Sequence, residues 1–282
     1  AQHLDLIAGL PEEDYASFRR TFNDVFALRP EELQLGFLKL LRGTGLRRDA
    51  DKYGYVYMDQ PPYEILGNRV LPFADIVRIK RVEDVLEKYW NAHRLDHTVE
   101  YLVSRVFPTP FDFFQAFGDY WEARGWQKIG HQLEDLFIRL REFLQAQDLP
   151  GSELDTVEGL MKLDYFLNHR FKPRKIWWEF SLDKKEQREL FRLLAERPEL
   201  ATGPGPRPFA SLALGEQELH KRCMIEKIPF DLTGYWADGE IRKDTASLLI
   251  AVYSGVEASR PDVYALPLNG AGGNGRPSGG DG

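Results

Sequence analysis

The run HLDLIAGL at residues 3–10 is almost continuously apolar after Asp5, which predicts a strand covered on both faces, as in a parallel α/β sheet. Gly9, Leu10 and Pro11 supply a turn. Glu12, Glu13 and Asp14 then place negative charge in a helix first turn, where the helix dipole favours it. Tyr15, Phe18, Phe22, Val25 and Phe26 form one apolar face of that helix, which stops at Arg29-Pro30. A second strand, LQLGFLKLL at 33–41, is closed by RGTGL. Strand, helix and strand with short links make a βαβ unit with parallel strands.

From residue 73 the period becomes helical. FADIVRIKRVEDVLEKYW carries Ile76, Ile79, Val82, Leu86 and Tyr89 on one side, and HTVEYLVSRVF ends at Pro108. PFDFFQAFGDYWEARG is punctuated by Pro110 and Gly125, and HQLEDLFIRLREFLQA has the cleanest apolar stripe. SELDTVEGLMKLDYFLNHRF opens on Ser152 as a cap, and DKKEQRELFRLLAER is the last of five to seven expected helices. Their aromatic-rich faces are read as core. After TGPGPRP at 202–208 the segments CMIEKIPFDL, GYWADGEIRK and ASLLIAVYS read as short strands, with Asp238-Gly239 as a hairpin turn. The tail NGAGGNGRPSGGDG, 269–282, has nothing to bury and is expected to be disordered. The expected fold class is α+β, mostly α-helical. A βαβ segment occupies 1–62, helices 63–201, a small antiparallel β element 208–268, and the tail the remainder.

Ligands of parallel sheets bind at the carboxyl ends of the strands. Two features lie there: the Gly9 turn, where a missing side chain admits a ligand, and Arg42-Gly43-Thr44. Gln34 and Lys39 sit within the second strand at opposite parity, so they are expected on opposite faces. Lys39 either lines a wet cavity or snorkels at the rim. The link KYGYVYMDQPPYEIL, 52–66, alternates Tyr53, Tyr55 and Tyr57 as an edge strand would, before Pro61-Pro62. It either covers the mouth of a site or only connects.

A net charge of −7 argues against general binding of nucleic acid or anionic membranes, and no apolar run approaches the roughly 18 residues of a membrane span. The single cysteine, Cys223, rules out a disulfide within the chain and fits a cytoplasmic setting. It also cannot by itself ligate an iron–sulfur cluster or build a Cys-rich zinc site. Cys223 has no adjacent base and reads as a small buried residue. His93 and His97 are four apart but lack the Glu and third ligand of a zinc motif, and His131 reads as exposed or a poor cap. NHRFKPRKIWW interleaves Arg170, Lys172, Arg174 and Lys175 with Phe171, Trp177 and Trp178. It is either a solvated loop anchored by its tryptophans or a grip for an anionic surface.

DLIAGLPEED, the following helix and LQLGFLKLLRGTGL together resemble the last two barrel strands of radical S-adenosylmethionine enzymes. That superfamily carries a G-x-I-x-G-x-x-E strand beside the adenine. Ile7, Gly9 and Glu12 match its spacing, while Asp5 replaces the first Gly. The form DLI-x-GLP is similar to the branch of oxygen-independent coproporphyrinogen oxidases, whose next strand also ends in a Gly-Thr turn like Gly43-Thr44. With YGYVYMDQPPYEIL and DYFLNHRFKP, residues 3–260 resemble a bacterial family that joins a cobalamin-binding domain, a radical S-adenosylmethionine barrel and a C-terminal domain of unknown function.

The resemblance implies that 1–62 is the end of such a barrel and that the chain is the C-terminal portion of a longer, iron–sulfur enzyme. S-adenosylmethionine, a [4Fe–4S] cluster and cobalamin would be cofactors of that parent. The barrel and cobalamin domains of the same polypeptide would be the partners. Asp5, Ile7, Gly9, Glu12, Gly43 and Thr44 would flank the nucleoside, and Lys39 and Gln34 would be cavity residues. The family's CxxxCxxC loop is absent, so this chain alone is expected to be inactive, and its barrel-facing surface to be an exposed apolar patch. The alternative is a helical binding module for a partner protein or a polyanion.

Overall fold

The computed structural model describes residues 2–256 and 259–268; the tail expected at 269–282 lies outside the described residues. The chain divides into two compact units, 1–143 and 144–282, whereas the sequence pattern placed boundaries at 62 and 201. The protein is a mostly α-helical α+β chain with small sheets and no closed barrel among the described residues.

In the first unit β1 (His3–Ala8) leads into α1 (Tyr15–Phe26) and β2 (Glu32–Phe37), and the two strands pair in parallel, as expected. The register sets Leu4, Leu6 and Ala8 beside Leu33, Leu35 and Phe37 on one face, and His3, Asp5 and Ile7 beside Glu32, Gln34 and Gly36 on the other. Only the first face is covered, so the expectation of a strand buried on both sides is corrected: Ile7, 45% exposed, is an apolar residue on the open face and hides the alternation. Glu12 and Glu13 precede the helix rather than enter it. Asp14 is the cap, its carboxylate accepting from Ser17 N–H at 2.8 Å.

After β2 come two single-turn helices, α2 (Gly45–Arg48) and α3 (Ala50–Tyr53), then a short antiparallel pair, β3 (Val56–Tyr57) and β4 (Ile65–Gly67). The link is thus an edge strand only at Val56 and Tyr57. Helices α4 (Phe73–Leu86), α5 (Asp96–Tyr101), α6 (Pro110–Ala123) and α7 (Leu133–Ala146) follow, and α4 and α5 each end in a π-helical turn. Phe22 and Phe26 pack against Phe111 and Phe114 at ring separations of 5.3–6.0 Å, which docks α1 onto α6. Tyr15 donates to Gln115 at 2.8 Å, and Arg19 holds Asp112 through two bonds of 3.0 and 2.7 Å. A Cβ on Gly118 would lie 2.4 Å from the Arg81 carbonyl, so the close approach of α4 and α6 requires glycine there. His93, with φ of 52°, lies in the turn before α5 while His97 lies within it. His131, expected to be exposed or a poor cap, lies just before α7 and is half-buried against Trp121, which leaves only the second of those readings.

In the second unit α8 (Gly151–Leu167) starts at Pro150, so Ser152 is inside the helix and not its cap. In α9 (Lys184–Glu196) Asp183 and Glu186 form a capping box. α10 (Glu216–Arg222) runs directly into β5 (Cys223–Ile228), and α11 (Leu232–Asp238) replaces the strand expected at GYWADGEIRK. Gly239, at φ of 78°, ends that helix instead of turning a hairpin. β6 (Ala246–Val252) pairs antiparallel with β5 and with β7 (Asp262–Leu268), a strand the apolar pattern did not single out. Cys223, Ile225, Leu248, Ile250, Val252 and Tyr264 form a core with Phe191, Leu194 and Leu219.

Candidate functional site at the open sheet face

The two edges of the parallel sheet differ. Gln2 carbonyl accepts from Glu31 N–H and Ala8 carbonyl from Leu38 N–H, at 2.9 and 3.0 Å, so the even residues of β1 bond to β2. The odd residues His3, Asp5 and Ile7 therefore turn their N–H and C=O groups to the other edge, which no strand covers among the described residues. The far edge of β2 is closed. The Asn91 side chain accepts from Leu33 N–H and donates to Leu33 carbonyl, both at 3.0 Å, in place of a third strand. Ile65 N–H to Leu38 carbonyl and Leu40 N–H to Tyr63 carbonyl continue the closure, at 3.0 and 2.9 Å.

A cleft of about 550 Å³ opens on the exposed face of the sheet. Asp5, Ile7, Gln34 and Lys39 line it together with Glu64, Lys80 and Glu83. Gln34 and Lys39 thus share one cleft rather than opposite faces, because the strand ends at Phe37 and its alternation does not carry to residue 39. Lys80 pairs with Glu64, and its ammonium lies 4.8 Å from the centre of the Phe37 ring. Removal of water raises the Glu83 carboxyl above the ordinary value; Lys80 opposes the shift and Glu64 reinforces it. The side chains of Asp5, Gln34 and Lys39 make no hydrogen bond or ion pair among the described residues. Acceptors and donors of both signs, with an apolar seat at Ile7, suit a zwitterionic ligand with a flat apolar part. Leu6, Leu35, Phe37 and Leu38 also line the cleft, so the open face mixes apolar and polar groups.

The other expected residues lie elsewhere. A Cβ on Gly9 would sit 1.9 Å from Ile65 Cδ1, so it is Ile65 of β4 that approaches the glycine, not an open ligand channel. The Gly9 carbonyl accepts from Tyr55 hydroxyl at 2.7 Å and from the Asn68 amide at 3.4 Å, so the end of β1 is covered by residues 55–68. Glu12, with φ of 64°, lines a separate hollow of about 270 Å³ with Lys52, Tyr53, Asn68 and Arg69. Gly43, at φ of 82°, faces open space. Thr44 caps α2, accepting from Arg47 N–H at 3.3 Å and donating to Leu41 carbonyl at 2.8 Å.

The sequence reading did not name Glu64, Lys80 or Glu83. Lys80 and Glu83 are three apart on the polar side of α4, a pattern shared by every solvated helix, so nothing marked them.

In the second unit the basic loop is anchored by its tryptophan, one of the two readings left open. Trp178 is buried, and its indole donates to Glu226 at 2.8 Å. Glu226 itself is fully buried and lies 3.5 Å from Lys162. Burial pushes the Cys223 thiol up to about 12. No group of metal ligands occurs among the described residues, and none of their helices is long and apolar enough to cross a membrane. No curated protein matches the chain. Residues 51–250, which hold Glu64, Lys80 and Glu83 and most of the second unit, match the family model described as protein of unknown function (DUF4080), and the chain belongs to that family.

Proposed function

We propose that residues 2–44 contribute the last strands of a radical S-adenosylmethionine barrel, in an enzyme whose remaining strands lie in other parts of the same polypeptide. The observation that carries this reading is the edge of β1 that no strand covers among the described residues: a parallel strand with unpaired backbone groups suits continuation by another strand. The likeness of DLIAGLPEED to the adenine-side strand supports it.

The residues present fit one part of the nucleoside site. Ile7 offers a seat for a flat base, Asp5 an anion for a neighbouring positive centre, and Gln34 an amide for polar groups. When bound, S-adenosylmethionine supplies the precursor of a carbon radical. Lys39 would neutralise an anionic group in the cleft, and residues 55–68 keep water from the end of β1. Gly9 and Glu12 do not join this site, because Ile65 fills the first position and the second lies in its own hollow.

A [4Fe–4S] cluster does not fit these residues. The single thiol, Cys223, is buried in the second unit and held protonated, the opposite of a thiolate ligand. On this reading the cluster would be held by other parts of the parent, and the cobalamin likewise by the domain that the resemblance implies. The test is anaerobic reconstitution with iron and sulfide, read by absorbance and spin resonance. We expect no stable cluster on this chain, and one when the upstream part of its reading frame, containing CxxxCxxC, is expressed with it. A cluster on this chain alone, or an upstream frame without the cysteines, would overturn the reading.

A second reading rests on Arg170, Lys172, Arg174 and Lys175 in the second unit: an interaction module for a partner protein or polyanion. It expects salt-sensitive binding that is lost when Lys172, Arg174 and Lys175 are reversed in charge.

A further inference from the structure

The second unit holds a cleft of about 420 Å³ between the loop at 172–180, helix α9 and the outer edge of β5. Its apolar walls come from Phe180 and Phe191, and its polar groups are Lys172, Arg174 and the Gln187 amide. No carboxylate lines it. The Lys172 ammonium donates to the His220 carbonyl at 2.7 Å and makes no ion pair among the described residues, nor does Arg174. Partial burial lowers the Lys172 pKa, and the Cys223 thiol, which also lines the cleft, opposes the shift. Lys172 is half-buried and Arg174 exposed, so the cleft presents two cations with no carboxylate in its lining.

The floor adds a third donor. Tyr253 N–H bonds to Arg222 carbonyl at 2.9 Å, so the even residues of β5 pair with β6 and Ile225 turns its N–H and C=O outward. Lys227, of the same parity, spends its outward N–H on the Ser181 hydroxyl at 3.1 Å. Ile225 has no such partner. Phe180, 53% exposed, offers an apolar ring in the lining of the cleft.

We propose that this cleft binds a small organic anion, a phosphate or carboxylate carried on a flat apolar body, with Lys172 and Arg174 on the acid group and Phe180 and Phe191 on the body. A planar guanidinium beside an ammonium and a backbone N–H suits a tetrahedral or planar oxyanion. The cleft is open on one side, and its volume is within the range of small-molecule sites. The proposal is independent of the barrel reading, which concerns the first unit.

The test is an amide NMR titration of the whole chain with phenyl phosphate, benzoate and inorganic phosphate. We expect saturable shifts at Ile225, Arg174 and the Gln187 side chain with phenyl phosphate or benzoate, and weaker binding of inorganic phosphate, which lacks the body. The tighter of the two organic acids names the acid group. Lys172→Gln and Arg174→Gln should each weaken binding about tenfold or more, and Arg207→Gln, a surface change outside the cleft, should not. Arg174 is exposed, so its variant remains interpretable if Lys172→Gln disturbs folding. Absence of a saturable shift in the folded wild type, or a titration unchanged in Arg174→Gln, would overturn the proposal.

Discussion

In the first unit Asp5, Gln34 and Lys39 lie on the open face of a two-stranded sheet, and their side chains are tied to nothing. In the second, Glu226 lies on β5, an edge strand of a three-stranded sheet, and is tied by several partners. Trp178 indole, Ser181 N–H and Lys227 N–H donate to it at 2.8, 3.3 and 3.0 Å, with Lys162 at 3.5 Å. The same residue chemistry thus serves opposite ends. Buried and fully bonded, a carboxylate fixes the fold around it. Exposed and unbonded on the open face of a parallel strand, as Asp5 is, it adds little to folding and is available to a ligand. Neighbours decide which: β5 is covered by helices and the basic loop, whereas β1 is covered on one face only.

The largest test of this contrast is Glu226→Ala. It strands the Trp178 indole, the Ser181 N–H and the Lys162 ammonium without their acceptor, while Lys227 N–H keeps the Ser181 hydroxyl. We expect a loss of about 3–5 kcal/mol in urea unfolding followed by tryptophan fluorescence. A loss below about 1 kcal/mol would remove Glu226 from the fold-determining groups and with it half of the comparison.

Gly9→Ala comes next. The new methyl would collide with Ile65, and the backbone, at φ of 96°, disfavours any side chain. A loss of about 2–3 kcal/mol is expected by combining overpacking and backbone strain. Pairing it with Ile65→Ala should recover the collision but not the strain. Full stability in Gly9→Ala would mean that the glycine is kept for a ligand, as its match to the adenine strand first suggested.

Asp112 gives a smaller, pH-dependent effect. The hydrogen bonds from Arg19 hold its carboxyl below the ordinary range, with Thr109 adding to the shift and partial burial opposing it. A depressed carboxyl contributes stability above its unfolded value, about 3.9, and loses it as pH falls through the lowered value. Asp112→Asn should therefore flatten the acid limb of the stability curve below about pH 4, while costing about 1 kcal/mol or less at neutral pH because the pair is half-exposed.

Where side chains alternate or recur with a clean period, the chain could be read directly. The βαβ order, the helices at Phe73, Pro110 and Lys184, and strands β5 and β6 follow from period alone. The candidate site was legible only in part. Asp5, Ile7, Gln34 and Lys39 do meet in one cleft, but Glu64, Lys80 and Glu83 reach it from segments whose local pattern is that of any solvated surface. The errors share a cause. Gly9 and Gly239 each have a positive φ, and sequence alone does not tell whether a ligand, a neighbouring side chain or a helix end demands it. For Gly9 the answer depends on Ile65, more than fifty residues away. Strand β7 was missed because Pro267 and Asp262 interrupt its apolar run, which edge position permits.

The smallest expected effect belongs to Lys39, and it is the sharpest test of the open face. Its backbone bridges to Glu64, but its ammonium pairs with no carboxylate among the described residues. Truncation at an exposed, unpaired side chain changes stability by about 0.5 kcal/mol or less. Lys39→Ala and Gln34→Ala should therefore melt with the wild type in a thermal scan, although both residues sit centrally in the cleft. That result would show that the fold does not depend on these side chains, which leaves them available to a ligand in the cleft. A loss above about 1.5 kcal/mol would instead make Lys39 a structural counterpart of Glu226, and the two sheets would no longer differ in how they use charge.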